Sequence, residues 1–258
     1  MWILDDSAAT PFWRPRTPRP GTVLLFTTRR GGTSRAPYDT LNLGRSTEDD
    51  PAFVLANRER LLLAAGLDPA RLATAGQVHG TRVVEVEGPG HHADCDALVT
   101  RVPGVTLAVT TADCMSLLYS APGVVAACHS GWRGTVDGMP AATLEAVCRL
   151  AGCAPDAVHV AIGPAIRGCC YEVGEEVASR FPAAAVRRTG VKPHLDLPTA
   201  ARLALEAAGV APNALHDTGA CTACEAHHYF SHRRDHGLTG RHWGVAALIE
   251  APGAGGGE

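Results

Sequence analysis

Three short apolar segments lie almost end to end in the middle of the chain, and they limit its fold more than any other feature does. They span residues 105–110, 115–119 and 124–129, with four residues between each segment and the next. Segments of this length are typical of strands, and Pro122-Gly123 is a strong turn signal between the last two. The sequence therefore predicts three closely spaced strands.

Helices and further strands alternate irregularly around these segments. Asp50 suits a helix N-cap and Pro51 the first helical position, so a helix is predicted from there to Gly66. Other helices are predicted over 135–151, 172–180 and 199–208, and other strands over 22–27, 82–87, 158–162 and 243–249. Without a repeat or a long linker, this pattern favours one mixed α/β (α+β) domain over residues 1–258, with an irregular leading segment 1–21 and a disordered tail 252–258.

Net charge and residue composition exclude several classes of function. The net charge is −3 with neutral histidines, so no strong field attracts nucleic acid or an anionic membrane. Lys192 is the only lysine, which excludes a phosphate-binding Gly-Lys-Ser/Thr loop. No signal peptide is recognisable, and no run approaches the ~20 apolar residues of a membrane span. We therefore expect a cytoplasmic protein whose nine cysteines are free thiols, metal ligands or nucleophiles.

Three positions near predicted strand ends carry candidate chemistry. His79 is followed by a glycine, Cys114 lies between two apolar segments, and His129 ends the third segment before a glycine-rich turn. One thiolate and two imidazoles suit Zn(II), and a three-ligand site leaves one position open for catalysis. The same residues allow a different chemistry, in which Cys114 is a nucleophile and His129 its base. Asp113, beside the thiol, is either a proton-handling group or a carboxylate that caps the turn.

A second candidate metal site lies nearer the C-terminus. Cys221 and Cys224 form a C-x-x-C pair, and His227 and His228 follow closely. These four residues could hold a structural zinc, although their spacing is more compressed than in zinc fingers. The cysteine pair could also be redox-active, but it lacks the strand-then-helix setting of that motif. We expect zinc to bind through the three residues near the strand ends and not through this pair.

Six motifs occur in order along nearly the whole chain. They are QVHG at 77–80, DALVT at 96–100, TADC at 111–114, HSGWRG at 129–134, IGP at 162–164 with CYEVG at 170–174, and FSHRRD at 230–235. Together with Asn42-Leu43-Gly44 and Asn57-Arg58, this set resembles the YfiH-like family, also labelled the laccase-domain or polyphenol oxidase family.

The resemblance implies both a fold and a function. It implies one domain with β-sheets sandwiched between helices, and a metal site formed by His79, Cys114 and His129. It also implies purine nucleoside phosphorylase activity on adenosine, inosine and guanosine, with adenosine deaminase and methylthioadenosine phosphorylase side activities. The expected partners are therefore purine nucleosides and phosphate, with no nucleic acid or membrane, and we expect a monomer or weak homodimer.

Two substrate-binding residues follow from the same resemblance. The family's site arginine falls on Arg58 and its asparagine on Asn42. Arg58, with Arg133, would hold phosphate through charge-assisted hydrogen bonds. The chain departs from the family pattern at Ser130, where alanine is usual, and at Met115-Ser116 and Cys95. These departures bear on substrate preference and leave the three metal ligands in place.

Other functions remain open at the level of sequence. A copper-dependent polyphenol oxidase is the first alternative, because a thiolate with two imidazoles could bind copper in vitro. However, multicopper oxidases arrange His-x-His pairs around their copper cluster, and none of the twelve histidines forms such a pair. A second alternative is a cysteine or metal hydrolase that edits peptidoglycan precursors. A third is a non-catalytic partner in cell division.

Overall fold

The computed structural model of the protein describes residues 2–6 and 9–249, which form fifteen strands and five α-helices. The strands are β1 (Trp2–Asp5), β2 (Phe12–Pro15), β3 (Thr22–Thr27), β4 (Leu72–Ala75), β5 (Val83–Glu85), β6 (Gly90–His92), β7 (Ala97–Thr100), β8 (Thr106–Thr111), β9 (Met115–Ala121), β10 (Val124–Ser130), β11 (His159–Ile162), β12 (Val186–Arg187), β13 (His194–Leu195), β14 (Leu215–Asp217) and β15 (His242–Leu248). The helices are α1 (Pro51–Ala64), α2 (Trp132–Val136), α3 (Met139–Ala151), α4 (Glu175–Ala178) and α5 (Leu197–Ala207).

Two large mixed sheets pack face to face. The seven-stranded sheet has the order β1-β2-β3-β15-β8-β4-β6, and the six-stranded sheet has the order β14-β11-β9-β10-β7-β5. Apolar side chains from both sheets meet in one buried cluster, which includes Phe26, Leu107 and Val109 from the first sheet and Leu118 and Val125 from the second. The interface between the sheets is therefore a continuous hydrophobic core.

Helices cover the outer faces of both sheets. Leu117 and Tyr119 of β9 point away from the other sheet and pack in a cluster with α3 and α5. On the opposite side, Leu61 of α1 lies in a cluster with Trp243 and Val245 of β15. Since both faces of the central strands are buried, their sequences are continuous apolar runs and not alternating ones. The predicted fold class, mixed α/β with β-sheets sandwiched between helices, is confirmed.

Strands β9 and β10 form an antiparallel hairpin. Pairing runs from Ala121 and Val124 beside the turn to Met115 and Ser130 at the open end. Strand β8 belongs to the other sheet, so the chain crosses between the sheets at residues 112–114. Asp113 has a φ of +86° at this crossover. The crossover and the open end of the hairpin thus lie at the same edge of the sandwich.

Two predicted helices differ from the observed ones. The sequence predicts one helix over 135–151, but α2 and α3 are separate because Gly138 adopts a left-handed conformation with a φ of +92°. The sequence predicts another helix over 172–180, but only Glu175–Ala178 is helical. Its first turn is lost because Glu172 forms an isolated antiparallel bridge with His194.

The leading segment 1–21 is predicted to be irregular, whereas its described part contains two strands. β1 and β2 pair antiparallel, and β2 pairs with β3 at the edge of the seven-stranded sheet. The rings of Trp2 and Phe26 lie 4.9 Å apart, so aromatic burial holds a segment whose prolines and arginines indicate a loop. The tail 252–258, predicted to be disordered, lies outside the described residues. Within the described ranges, no helix is long and apolar enough to cross a bilayer.

Leu118 offers a test of the core between the sheets. Its side chain is fully buried there, whereas Leu55 on α1 is 62% exposed. We expect Leu118→Ala to lower the free energy of unfolding by about 2–5 kcal/mol and Leu55→Ala to change it by less than about 1 kcal/mol. Denaturant unfolding of the two variants measures both values, and equal losses would contradict the described packing.

Candidate active site

His79, Cys114 and His129 converge at the sandwich edge where the chain crosses between the sheets. Cys114 immediately precedes β9, His129 is the penultimate residue of β10, and His79 lies in the loop that follows β4. One ligand atom from each of the three side chains lies within 4.8 Å of the other two. The structure therefore brings together the three residues that the sequence predicts as metal ligands. We refer to them as the His-Cys-His cluster.

The carboxylate of Asp96 positions both histidines of this cluster. It is fully buried, and its Oδ1 accepts hydrogen bonds from His129 Nδ1 at 2.8 Å and from the backbone N–H of His79 at 3.0 Å. Its Oδ2 accepts from the backbone N–H groups of Val78 and Gly80. Because Nδ1 of His129 is engaged in this way, Nε2 is the nitrogen left to act as a ligand.

The charge of Asp96 is stabilised by the same bonds. Burial acts to raise the pKa of this carboxyl, but the hydrogen bonds from His129, Gly80 and His79 lower it below its usual value. The loop that carries His79 is strained in return, since Gln77 and His79 have φ values of +57° and +62°. Reciprocal bonds between the Gln77 side chain and the backbone of Thr110 hold that loop against β8.

Electrostatics favour an ionised thiol in the cluster. Burial acts to raise the pKa of Cys114, but His129 and His79 outweigh it and lower that pKa to about 6. Burial acts to lower the pKa of His129, whereas Asp96 and Cys114 raise it to about 9. These opposite shifts favour a thiolate at Cys114 and an imidazolium at His129.

The donor set fits a borderline-soft metal ion. A thiolate sulfur and two imidazole nitrogens are ligands of Zn(II), and they also bind copper. Gly131 leaves space for the cluster because it has no side chain. A Cβ at this position would lie 3.0 Å from the Cys114 sulfur and 3.2 Å from the His79 ring. Glycine at the first residue after β10 therefore avoids a tight contact with both ligands.

Asp113 is turned away from this cluster. Its Oδ1 accepts a hydrogen bond from the Thr222 hydroxyl at 2.6 Å, and its Oδ2 accepts one from the backbone N–H of Arg233 at 2.6 Å. Both oxygens thus hold the C-terminal loops against the crossover. These contacts favour the alternative in which Asp113 is a capping carboxylate over the one in which it handles a proton.

A cleft of about 510 Å³ opens beside the His-Cys-His cluster and is lined by three arginines, Arg45, Arg58 and Arg241. The predicted Arg58 donates twice to the carbonyl oxygen of Leu43, and its guanidinium lies 4.7 Å from the centre of the Trp243 ring. Burial, together with the nearby Arg45, lowers the pKa of Arg58 to about 10. Three cations in its lining make this cleft suitable for an anion.

The other two predicted substrate-binding residues do not line this cleft. Asn42 is fully buried, and its side-chain oxygen accepts hydrogen bonds from the backbone N–H groups of Gly44 and Arg241. These contacts indicate that Asn42 positions the backbone of Arg241. Arg133 is exposed, and its guanidinium lies 4.7 Å from the centre of the Trp132 ring.

Sequence reasoning missed several residues of the site. Arg45 directly follows the Asn-Leu-Gly motif, and Asp96 begins the DALVT motif, so both lie in segments that the resemblance had marked. Arg241 lies outside all the motifs, one residue before β15. The pairing of β15 with β8 brings it to the cleft, and no local pattern could reveal that pairing.

The second predicted metal group has different members from those expected. Cys221 and Cys224 lie together with Cys169 and Cys170, and the four sulfur atoms are within 4.8 Å of one another. We call these residues the four-cysteine cluster. His227 and His228, which the sequence places with the C-x-x-C pair, are not part of it. Chain folding replaces them with two cysteines from a loop about 50 residues earlier.

Comparisons with known proteins agree on one family. Residues 23–249 match the family model described as multi-copper polyphenol oxidoreductase laccase. The chain is 45% identical over 240 residues to a protein of Deinococcus radiodurans named purine nucleoside phosphorylase, covering 90% of this chain and 92% of that protein. It is 43% identical over 226 residues to purine nucleoside phosphorylase ORF3 of Streptomyces griseus, covering 84% and 90%.

Solved structures show the same architecture. YlmD from Geobacillus stearothermophilus superposes with a TM-score of 0.90 at 34% identity, covering 97% of this chain and all of that one. The hypothetical protein YfiH of Bacillus licheniformis also superposes with a TM-score of 0.90, at 28% identity, covering 96% and 98%. The likeness therefore extends over the entire sandwich.

Replacing Asp96 tests its role in positioning the cluster. Asp96→Asn removes the charge that orients His129 and stabilises its ring as a ligand, so we expect the affinity for Zn(II) to fall about 10- to 100-fold. Competition with a chelating dye measures that affinity. Asp94→Asn, at an exposed position two residues away, is the matched control and should leave the affinity unchanged. Unchanged affinity in folded Asp96→Asn protein would exclude this role.

Proposed function

The chain belongs to the family of multi-copper polyphenol oxidoreductase laccases, which includes YfiH and YlmD, and we propose that it acts as a purine nucleoside phosphorylase. Relatives that are 45% and 43% identical over most of their length carry that name. The observation that carries the proposal is a cleft that is lined both by three arginines and by the His-Cys-His cluster.

The three arginines that line the cleft are suited to phosphate. Phosphorolysis requires an inorganic phosphate beside the C1′ carbon that the purine leaves, so the enzyme must hold a multiply charged anion. Arg58 is fixed by Leu43 and Trp243, and Arg241 by the carbonyl oxygens of Thr239 and Gly240. A phosphate would offset the repulsion between Arg45 and Arg58 and would accept charge-assisted bonds from arginines that are already in place. The cleft volume of about 510 Å³ leaves room for a nucleoside beside the anion.

The part of the cleft that is lined by the His-Cys-His cluster is suited to Zn(II). His79 and Cys114 would hold the ion together with His129, and the ion would supply Lewis acidity to the reaction. Asp96 would keep His129 in the ligating orientation, and Gly131 would leave space around the sulfur. We propose that the same ion supports adenosine deamination as a side activity. Adenosine, inosine, guanosine and methylthioadenosine are the proposed phosphorolysis substrates.

One alternative has a structural observation in its favour. The thiolate of Cys114 beside the imidazolium of His129 is also the arrangement of a nucleophilic cysteine and its base. A cysteine hydrolase is therefore the second candidate. Copper-dependent phenol oxidation has less support, because the described residues contain only the two metal-competent clusters and no multicopper arrangement of imidazoles.

Dependence on phosphate tests the proposal most directly. Purified protein is incubated with inosine, guanosine or adenosine, with and without inorganic phosphate, and the products are separated by chromatography. We expect free base and ribose 1-phosphate only when phosphate is present, loss of turnover with chelator, and recovery with Zn(II). Base release that ignores phosphate, or phenol oxidation without phosphorolysis, would contradict the proposal. A Cys114→Ser protein that keeps its metal but loses turnover would instead support the cysteine hydrolase.

Substitution of Arg58 tests whether this side chain binds phosphate specifically. We expect Arg58→Ala to raise the KM for phosphate at least about tenfold, because a charge-assisted bond is lost, and to affect the phosphate-independent deamination less. Arg60→Ala, at an exposed position on the same helix, is the control and should change neither activity. Melting temperatures of both variants show whether folding is preserved. Equal losses in phosphorolysis and deamination would rule out a specific role for Arg58 in phosphate binding.

A further inference from the structure

The four-cysteine cluster lies apart from the proposed active site and shares no residue with it. Its closest contacts are 3.2 Å between the sulfurs of Cys170 and Cys224, and 3.5 Å from the sulfur of Cys169 to those of Cys221 and Cys224. A disulfide bond is much shorter, at about 2.05 Å. Four sulfurs at the corners of a zinc tetrahedron, each about 2.3 Å from the ion, would lie about 3.8 Å apart. The observed spacing is close to that of a metal site and far from that of two disulfides.

Two loops deliver the thiols, and main-chain bonds join these loops. The backbone N–H of Thr222 donates to the carbonyl oxygen of Ala165 at 3.1 Å, and Ala165 forms a parallel bridge with Cys221. Within the C-x-x-C segment, Glu225 N–H donates to the Cys221 carbonyl, and the Glu225 carboxylate accepts from the Cys221 N–H. The cluster is therefore held in place by the backbone and does not depend on the weak hydrogen bonds between thiols.

Charge and access also favour a cation at this position. Cys169 and Cys224 are exposed, so an ion can enter from solvent. Several thiolates at this spacing would repel one another, and a divalent ion removes that repulsion.

We propose that Cys169, Cys170, Cys221 and Cys224 bind a structural Zn(II) ion as a closed tetrathiolate site. Four sulfur ligands complete the tetrahedron and leave no open position, which is the pattern of structural and not catalytic zinc. This proposal departs from the sequence-based expectation that Cys221 and Cys224 bind no zinc, because that expectation considered the pair without the two cysteines that folding brings to it.

The site has a defined place in the architecture. Thr222 lies between Cys221 and Cys224, and its hydroxyl donates to Asp113, the residue before Cys114. Arg234 donates to the carbonyl oxygen of Thr222 from the other side. An ion in the four-cysteine cluster would thus brace the crossover that carries Cys114, as a positioning element outside the cleft.

Counting zinc in matched variants tests the proposal without any substrate. The full chain purified anaerobically should contain two equivalents of zinc. Cys169→Ser/Cys224→Ser should contain one, and so should Cys114→Ser/His129→Ala, which disrupts the other cluster. Cys148→Ser/Cys153→Ser removes the same number of thiols elsewhere and should keep both ions. Zinc content that is unchanged in Cys169→Ser/Cys224→Ser would overturn the proposal.

Two further measurements decide the matter if that variant fails to fold. Co(II) added to metal-free Cys114→Ser/His129→Ala should give the intense visible absorption of a tetrahedral thiolate site. In zinc-loaded wild type, alkylation followed by mass spectrometry should find all four cysteines protected until chelator is added. Absence of the cobalt absorption, disulfide bonds among the four cysteines, or their rapid labelling with zinc still bound would each refute the site.

Discussion

A carboxylate without access to water organises the candidate active site. Asp96 is fully buried, and an unpaired charge in that position would cost several kcal/mol. Four donors offset this cost, and they come from two segments that are about 50 residues apart, the 78–80 backbone and the His129 ring. The requirement to satisfy one buried charge thus fixes the distance between two imidazoles, and the geometry around the Cys114 sulfur follows from it.

The sequence predicts the parts of this arrangement that depend on local pattern. The apolar runs become β8, β9 and β10, and the Asp50-Pro51 signal marks the start of α1, because burial on both faces and helix capping act over a few residues. His79, Cys114 and His129 could be found for the same reason, since each follows or precedes a recognisable strand or loop motif. Because one family of proteins shares these motifs, the resemblance extends the prediction to fold and function.

Residues that depend on tertiary pairing could not be predicted. The pairing of β15 with β8 and the packing of α1 against β15 bring Arg241 and Arg58 to the same cleft, and nothing near Arg241 in the sequence marks this. The cysteines illustrate the same limit. The sequence groups Cys221 with nearby histidines, whereas its neighbours in the structure include Cys169 and Cys170. Proximity along the chain is a poor guide wherever a main-chain bridge between distant loops decides the neighbours.

The turn between β9 and β10 helps to set the position of His129, although the turn is distant from the site. His129 lies on the same face of β10 as Val125, which packs between the sheets, whereas Cys128 faces the helices. Side chains alternate along a strand, so a one-residue slip would exchange these faces and withdraw the imidazole from the thiol. The slip is prevented at Pro122-Gly123, roughly 20 Å along the strand from His129. The length of this exposed turn is therefore constrained by the site, as the identities of the ligands are. An insertion that shifted the register would withdraw His129 from Cys114, as a mutation within the site would.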